Sequence, residues 1–212
     1  MELHGAKALV TGGAGFIGST LVDSLMRLGC DVVVYDNFDS FYLGKEANIR
    51  HNLGSPRFSL VRGSILEEGK LSAAMKGAEV VFHLAGQAGV RYCNENPLKA
   101  EEVNAAGTLQ VLQAVRKAKT VKKMVYASSS SIFGKPVKPM LSEDHPQNPT
   151  NPYGVSKLAG EKYCLAFHET FGTPVTCLRY FSVYGPRGRP DQVVYSFAKR
   201  VMAGQPPLIY GD

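Results

Sequence analysis

Eight residues near the start of the chain constrain its fold more than any other stretch: Thr11-Gly12-Gly13-Ala14-Gly15-Phe16-Ile17-Gly18. They follow a strand-like run at 6–11 and open a pattern in which Ile17, Leu21, Leu25 and Leu28 recur at helical spacing. Gly13, Gly15 and Gly18 satisfy G-x-G-x-x-G, and Gly12, Gly15 and Gly18 the wider G-x-x-G-x-x-G. A turn of this kind needs positive φ and leaves the backbone bare, so that a pyrophosphate can sit on the helix N-terminus. The chain holds 22 glycines in 212 residues without a collagen period or a Gly/Ser tract, so the surplus belongs at special backbone positions. Asp36 closes the next strand-like run, 18 residues after Gly18, where a carboxylate can hold the hydroxyls of an adenosine ribose. Its charge repels a 2′-phosphate. NAD is therefore expected rather than NADP.

Short apolar runs at 6–11, 31–35, 58–62, 80–84, 123–127 and 175–180 alternate with helical patterns. Near-continuous apolar strands separated by helices predict an α/β fold, a doubly wound parallel sheet with helices on both faces. Residues 134–152 break this rhythm with five prolines and read as a long loop over the strand ends.

Composition narrows the function classes. Hydrophobic residues at 44% and charged residues at 20% can build a real core, which excludes wholesale disorder. No apolar run approaches the ~20 residues of a membrane span. The first residues pass directly into a strand, so no signal peptide is expected. The net charge of +6 is scattered; its densest group, Arg116, Lys117, Lys119, Lys122 and Lys123, closes a predicted helix. An anionic small substrate is expected, not nucleic acid. Cys30, Cys93, Cys164 and Cys177 form no CxxC pair and read as free, mostly buried thiols of a reducing, cytoplasmic compartment. No grouping of ligand residues suggests a metal.

The candidate chemistry lies at Tyr153-Gly154-Val155-Ser156-Lys157, which places a phenol and an ammonium on one helix face. A phenol is a poor base at neutral pH, and a neighbouring cation favours the phenolate that a general base requires. Ser128-Ser129-Ser130-Ser131 follows the run 123–127, at the carboxyl end of a strand, where open α/β sheets bind ligands. A G-x-S-x-G elbow is missing, which argues against serine hydrolysis. His83, inside an apolar run, reads as a hydrogen-bonded core residue.

Together these stretches resemble the extended short-chain dehydrogenase/reductases, specifically their NAD-dependent nucleotide-sugar epimerases. The resemblance also rests on Tyr35-Asp36-Asn37-Phe38, His83-Leu84-Ala85-Gly86-Gln87-Ala88-Gly89-Val90-Arg91 and Asn104-Ala105-Ala106-Gly107-Thr108, and runs on through 126–134, 152–161 and 178–191. It implies Tyr153 as base, Ser129 at the catalytic hydroxyl position and Lys157 on the nicotinamide ribose. It assigns cofactor contacts to Gly12, Gly15, Phe16, Ile17 and Gly18, then Asp36, Asn37, Ser64 and Ile65. Further contacts fall at Leu84, Ala85, Gly86, Gln87, Asn104 and Ser128, and at Tyr180, Ser182 and Val183 beside Tyr153 and Lys157. The 87–92 and 184–191 segments look most like UDP-glucuronate 4-epimerases. That likeness implies a UDP-sugar partner held by Gln87, Arg91, Ser129, Ser130, Ser131, Tyr153, Ser182 and Arg189. UDP-glucose/UDP-galactose epimerisation is the alternative, and an NAD-holding fragment without turnover is another.

Two departures qualify the likeness. Relatives often carry Gly-Asp-Ile where this chain has Gly63-Ser64-Ile65, so Ser64 offers one short hydroxyl in place of a carboxylate. Chains of this kind usually continue well beyond a Tyr-Gly-Asp such as Tyr210-Gly211-Asp212. The division expected is a cofactor domain with the catalytic residues at 1–181 and an incomplete substrate region at 182–212. The helices near 101–118 and 153–170 correspond to those that pair relatives, which implies a homodimer.

Overall fold

The computed structural model describes residues 2–209. Six strands form one parallel sheet: β1 (Lys7–Thr11), β2 (Asp31–Asp36), β3 (Phe58–Arg62), β4 (Val80–His83), β5 (Lys123–Ser129) and β6 (Val175–Tyr180), in the order β3-β2-β1-β4-β5-β6. The order reverses between β1 and β4. In an open α/β sheet, the crevice at the carboxyl ends of such a pair is where ligands bind.

Alternation along each strand divides the core. Ala8, Val10, Val32 and Val34 face one side, with Val22 and Leu25 of α1 (Phe16–Arg27) and Ile49 of α2 (Lys45–Ile49). Leu9, Val33 and Tyr35 face the other, packed with Leu71 and Met75 of α3 (Glu68–Met75), Val111, Leu112 and Val115 of α6 (Gly107–Ala118), and Cys164 and Phe167 of α7 (Pro152–Phe171). Burial on both faces is why these strands carry few polar residues before their final position.

Local sequence sets the boundaries of the helix that matters most. Asn151 accepts a hydrogen bond from Gly154 N at 2.8 Å, Pro152 occupies the first turn of α7, and Gly172 ends it at φ 67°. Between 90 and 118 the chain forms α4 (Val90–Glu95), α5 (Pro97–Glu101), a π-helical turn (Glu102–Ala106) and then α6. β5 runs two residues beyond the predicted 123–127, because Ser128 and Ser129 pair with Arg179 and Tyr180 of β6. Those two serines belong to the strand itself. Ser130 and Ser131 follow in a short 3-10 turn, Ser130–Phe133.

The last helix, α8 (Val193–Met202), buries no residue, and Val193, Val194, Val201 and Met202 are exposed along it. Among the described residues no helix is long and apolar enough to cross a membrane.

Candidate active site

The glycine turn is closed by contacts that only a bare backbone allows. Gly12 has φ +69°, and a Cβ there would stand 2.7 Å from Ala85 N. A Cβ on Gly18 would collide with the Gly12 carbonyl oxygen. Gly12 N donates to Tyr35 O at 2.8 Å, and Gly15 N donates to Gly12 O at 3.1 Å, so β1 passes into α1 with the turn pressed against β4. The buried Asp36 carboxylate holds the same turn. Its Oδ2 accepts from Ala14 N at 3.0 Å and its Oδ1 from Phe38 N at 2.8 Å. An ionised carboxylate offers about four acceptor sites, so it keeps capacity for ribose hydroxyls. A bare cradle and a carboxylate at the end of β2 fit the adenosine half of a dinucleotide.

A buried polar chain ties β1 to β4. His83 Nδ1 lies 2.7 Å from Thr11 Oγ1 and its Nε2 lies 3.0 Å from Thr108 Oγ1. Thr108 donates its own proton to Asn104 O at 2.6 Å, so it accepts from His83, which is assigned the neutral Nε2–H tautomer. Burial pushes this imidazole down to about 3. His83 is a satisfied core residue. Asn104, in the π turn, bonds both backbone groups of Gln87: Oδ1 accepts from Gln87 N at 2.8 Å and Nδ2 donates to Gln87 O at 3.0 Å. A π turn widens the helix locally and is often found at functional sites.

Facing this floor are Ser129, Tyr153 and Lys157. Ser129 lies beside Tyr153 on the wall of the same cleft, close enough to act on its phenol. Burial raises the Tyr153 phenol above its ordinary range, while the neighbouring Ser129 hydroxyl and the Arg189 charge pull it back. Lys157, one turn further along α7, is buried with its ammonium 4.4 Å from the centre of the Tyr126 ring. Burial lowers it to about 8, so it is poised near neutrality.

These groups line one cleft of about 360 Å³, a size suited to a small ligand. Every residue expected to touch the cofactor lies on its wall, from Gly12 through Asp36, Ser64, Gln87 and Asn104 to Tyr180, Ser182 and Val183. Of the residues expected to touch the sugar nucleotide, Gln87, Ser129, Tyr153, Ser182 and Arg189 line the cleft. Arg91, Ser130 and Ser131 do not: Arg91 is an exposed residue of α4, and the serines lie in the 3-10 turn after β5.

The wall also contains residues that the sequence reading passed over. Tyr42 accepts a hydrogen bond from Phe16 N at 3.1 Å, at the first turn of α1. Phe41 packs against Tyr92 with ring centres 4.9 Å apart and lies 5.6 Å beneath the Arg189 guanidinium. Arg189 is itself paired in parallel with Asp191, at 2.9 and 3.0 Å. The clue was the aromatic content of 38–42, which carries no period.

The sequence pattern of the "NAD dependent epimerase/dehydratase family" matches residues 8–212. UDP-glucuronate 4-epimerase 1 of Arabidopsis thaliana is 38% identical over 97% of the chain and 49% of its own length. UDP-glucose 4-epimerase of Mycolicibacterium smegmatis is 38% identical over 97% of the chain and 66% of its own. Among solved structures, UDP-glucuronic acid 4-epimerase from Bacillus cereus, in complex with UDP-glucuronic acid and NAD, superposes with a TM-score of 0.89 at 37% identity, covering 97% of this chain and 66% of that one. The chain therefore spans about half to two thirds of the length of these relatives. The chain belongs to the NAD dependent epimerase/dehydratase family.

Proposed function

We propose that the chain carries the cofactor half and the catalytic groups of an NAD-dependent UDP-sugar 4-epimerase, with UDP-glucuronate and UDP-galacturonate as the pair interconverted. One observation carries this reading. Ser129, Tyr153 and Lys157 share a cleft with the Gly12–Gly18 turn and Asp36. NAD bound there would supply a hydride acceptor that later gives the hydride back, and a positive ring beside Tyr153.

The chain's own groups do the rest. Tyr153 takes the proton of the sugar 4-hydroxyl, and Ser129, beside it on the cleft wall, holds that oxygen in line. Lys157 holds the nicotinamide ribose and, while protonated, favours the phenolate of Tyr153. When the 4-keto sugar has presented its other face, Tyr153 returns the proton. Gln87 and Asn104 fix the opposite wall through their mutual hydrogen bonds. Ser129, Ser182 and Arg189 line the side suited to a C6 carboxylate or the diphosphate, with the Arg189 guanidinium held by Asp191. Apolar side chains exposed on α5 and α7, among them Leu98, Val155 and Tyr163, support pairing of two copies.

The test is direct. The purified chain is assayed for retained NAD and for conversion of UDP-glucuronate to UDP-galacturonate, with Tyr153→Phe alongside. NAD binding with turnover abolished in Tyr153→Phe is expected. Turnover of UDP-glucose with UDP-glucuronate untouched would overturn the substrate. NAD retained without any turnover would mark a cofactor-holding portion that needs further chain.

A further inference from the structure

Behind the cleft, one helical turn beyond Lys157, lies a buried carboxylate that the reaction outlined above does not use. Tyr153, Lys157 and Glu161 are spaced four apart, so they share one face of α7. Glu161 is 2% exposed. Its Oε2 accepts from Ser128 Oγ at 2.5 Å, and its Oε1 accepts from Arg179 Nη2 at 2.8 Å and Nε at 3.2 Å. Arg179 lies on β6 opposite Ser128 in the register, and its Nη1 donates to the Glu143 carbonyl in the proline-rich loop at 2.5 Å. Its guanidinium also rests 5.1 Å from the centre of the Phe133 ring.

An ion pair between a buried carboxylate and a half-buried guanidinium contributes little net stability over an apolar isostere, so its retention here calls for another use. We propose that Glu161 and Arg179 are a positioning pair for the active site: they anchor Ser128, and with it the neighbouring Ser129, and set the electrostatic field in which Lys157 holds its proton. This rests on the reading of Ser129, Tyr153 and Lys157 as the catalytic groups. The ionisable groups around Lys157 are Tyr153, Glu161 and Cys164 on its own helix, Tyr126 on β5, Cys177 on β6 and the neutral His83 on β4, with Arg179 of β6 reaching this set through its ion pair with Glu161. Within that set Glu161 is the single carboxylate and Arg179 its counter-charge, so removing one or the other must act on Lys157 with opposite sign.

The experiment follows the Lys157 ammonium directly, by NMR titration of lysine ¹³Cε in the ligand-free chain, the resonance assigned with Lys157→Met. Glu161→Gln leaves the guanidinium unbalanced and is expected to move the Lys157 midpoint down by about one unit. Arg179→Met leaves the carboxylate unbalanced and is expected to move it up by a similar amount, about one unit. The double variant returns it towards the wild-type value and, lacking a lone buried charge, guards against loss of fold. Shifts of the same sign in the two single variants, or a midpoint unmoved in both, would overturn the proposal; a generally loosened site gives no such reversal. Calorimetric NAD⁺ binding to the wild-type chain is measured in parallel. Its absence would strike the cofactor reading while the titration still decides the role of the pair.

Discussion

Asn104 Nδ2 lies 3.0 Å from Ser156 Oγ, one residue before Lys157. Ser156 donates its proton to Tyr153 O at 2.9 Å, so it must accept from Asn104, and the π turn is thereby bonded to α7. The same amide holds both backbone groups of Gln87. Asn104 thus fixes the cofactor wall relative to Tyr153 and Lys157.

Asn104→Ala should therefore lower stability by about 2–3 kcal/mol, the cost of leaving buried backbone groups and a hydroxyl without partners. Asn104→Asp should be worse near neutral pH, since a carboxylate faces the Gln87 carbonyl where a donor is required. Lowering the pH protonates that acid and restores a donor, so Asn104→Asp should close the gap to Asn104→Ala as pH falls. Urea unfolding of the two variants at several pH values checks the order and the convergence.

Two glycines provide an internal contrast. Gly18→Ala drives a methyl into the Gly12 carbonyl and should abolish NAD binding together with the packing of the first turn of α1. Gly69 sits in α3 with nothing within 4 Å of its Cβ position. Gly69→Ala should stabilise by about 0.5–1 kcal/mol, through the helix propensity of alanine. Thermal unfolding and NAD calorimetry of the pair separate a glycine needed for close approach from one that is incidental.

Lys157 couples the site to stability. Its folded value of about 8 lies below the ordinary 10.5, because burial disfavours the charge. The unfolded chain therefore holds more protons between those values, and stability should rise as pH climbs through that window. Lys157→Met removes the penalty and should stabilise the chain at pH 7 by roughly 1–3 kcal/mol. The difference should shrink towards pH 10. At the same time the variant should lose NAD affinity, and wild-type affinity should fall as pH passes about 8 and the ammonium is lost. Denaturant titrations across pH 7–10 would show a constant difference if Lys157 carried no such strain.

The sheet was legible because most strands are short apolar runs set off by polar or glycine-bearing turns, and because the first turn is tied to its place by a motif that only bare backbone can fill. Tyr153 and Lys157 were legible for a related reason: a spacing of four fixes a shared helix face whatever surrounds it. The serine run was not. Four identical polar residues give no sign of where a strand stops, and β5 extends to Ser129 only because β6 offers partners there. Ser130 and Ser131 consequently follow in the 3-10 turn and are not among the residues that line the cleft. The 37–45 segment was opaque because its anchors are distant in sequence. Tyr42 meets the start of α1 and Phe41 meets Tyr92, and neither contact leaves a period to read. Glu161 was hidden likewise, since its partners come from β5 and β6.

Asp36 gives the sharpest test of how the cofactor turn is built. A carboxylate that only contacts a ribose could be exchanged for asparagine to admit a 2′-phosphate. Here both oxygens also accept backbone protons, from Ala14 N and Phe38 N. An asparagine has one carbonyl oxygen and would turn its amide hydrogens towards one of those donors, leaving the N–H unpaired. Asp36→Asn should therefore lower stability by about 1–3 kcal/mol, the cost of an orphaned buried donor and a lost charge-assisted bond. It should weaken NAD at least tenfold and gain no measurable NADP affinity, because the turn that receives the pyrophosphate is disturbed along with the ribose contact. Calorimetry with both dinucleotides, read beside thermal unfolding, decides the matter. A variant of native stability that binds NADP would mean that Asp36 acts on the ribose alone.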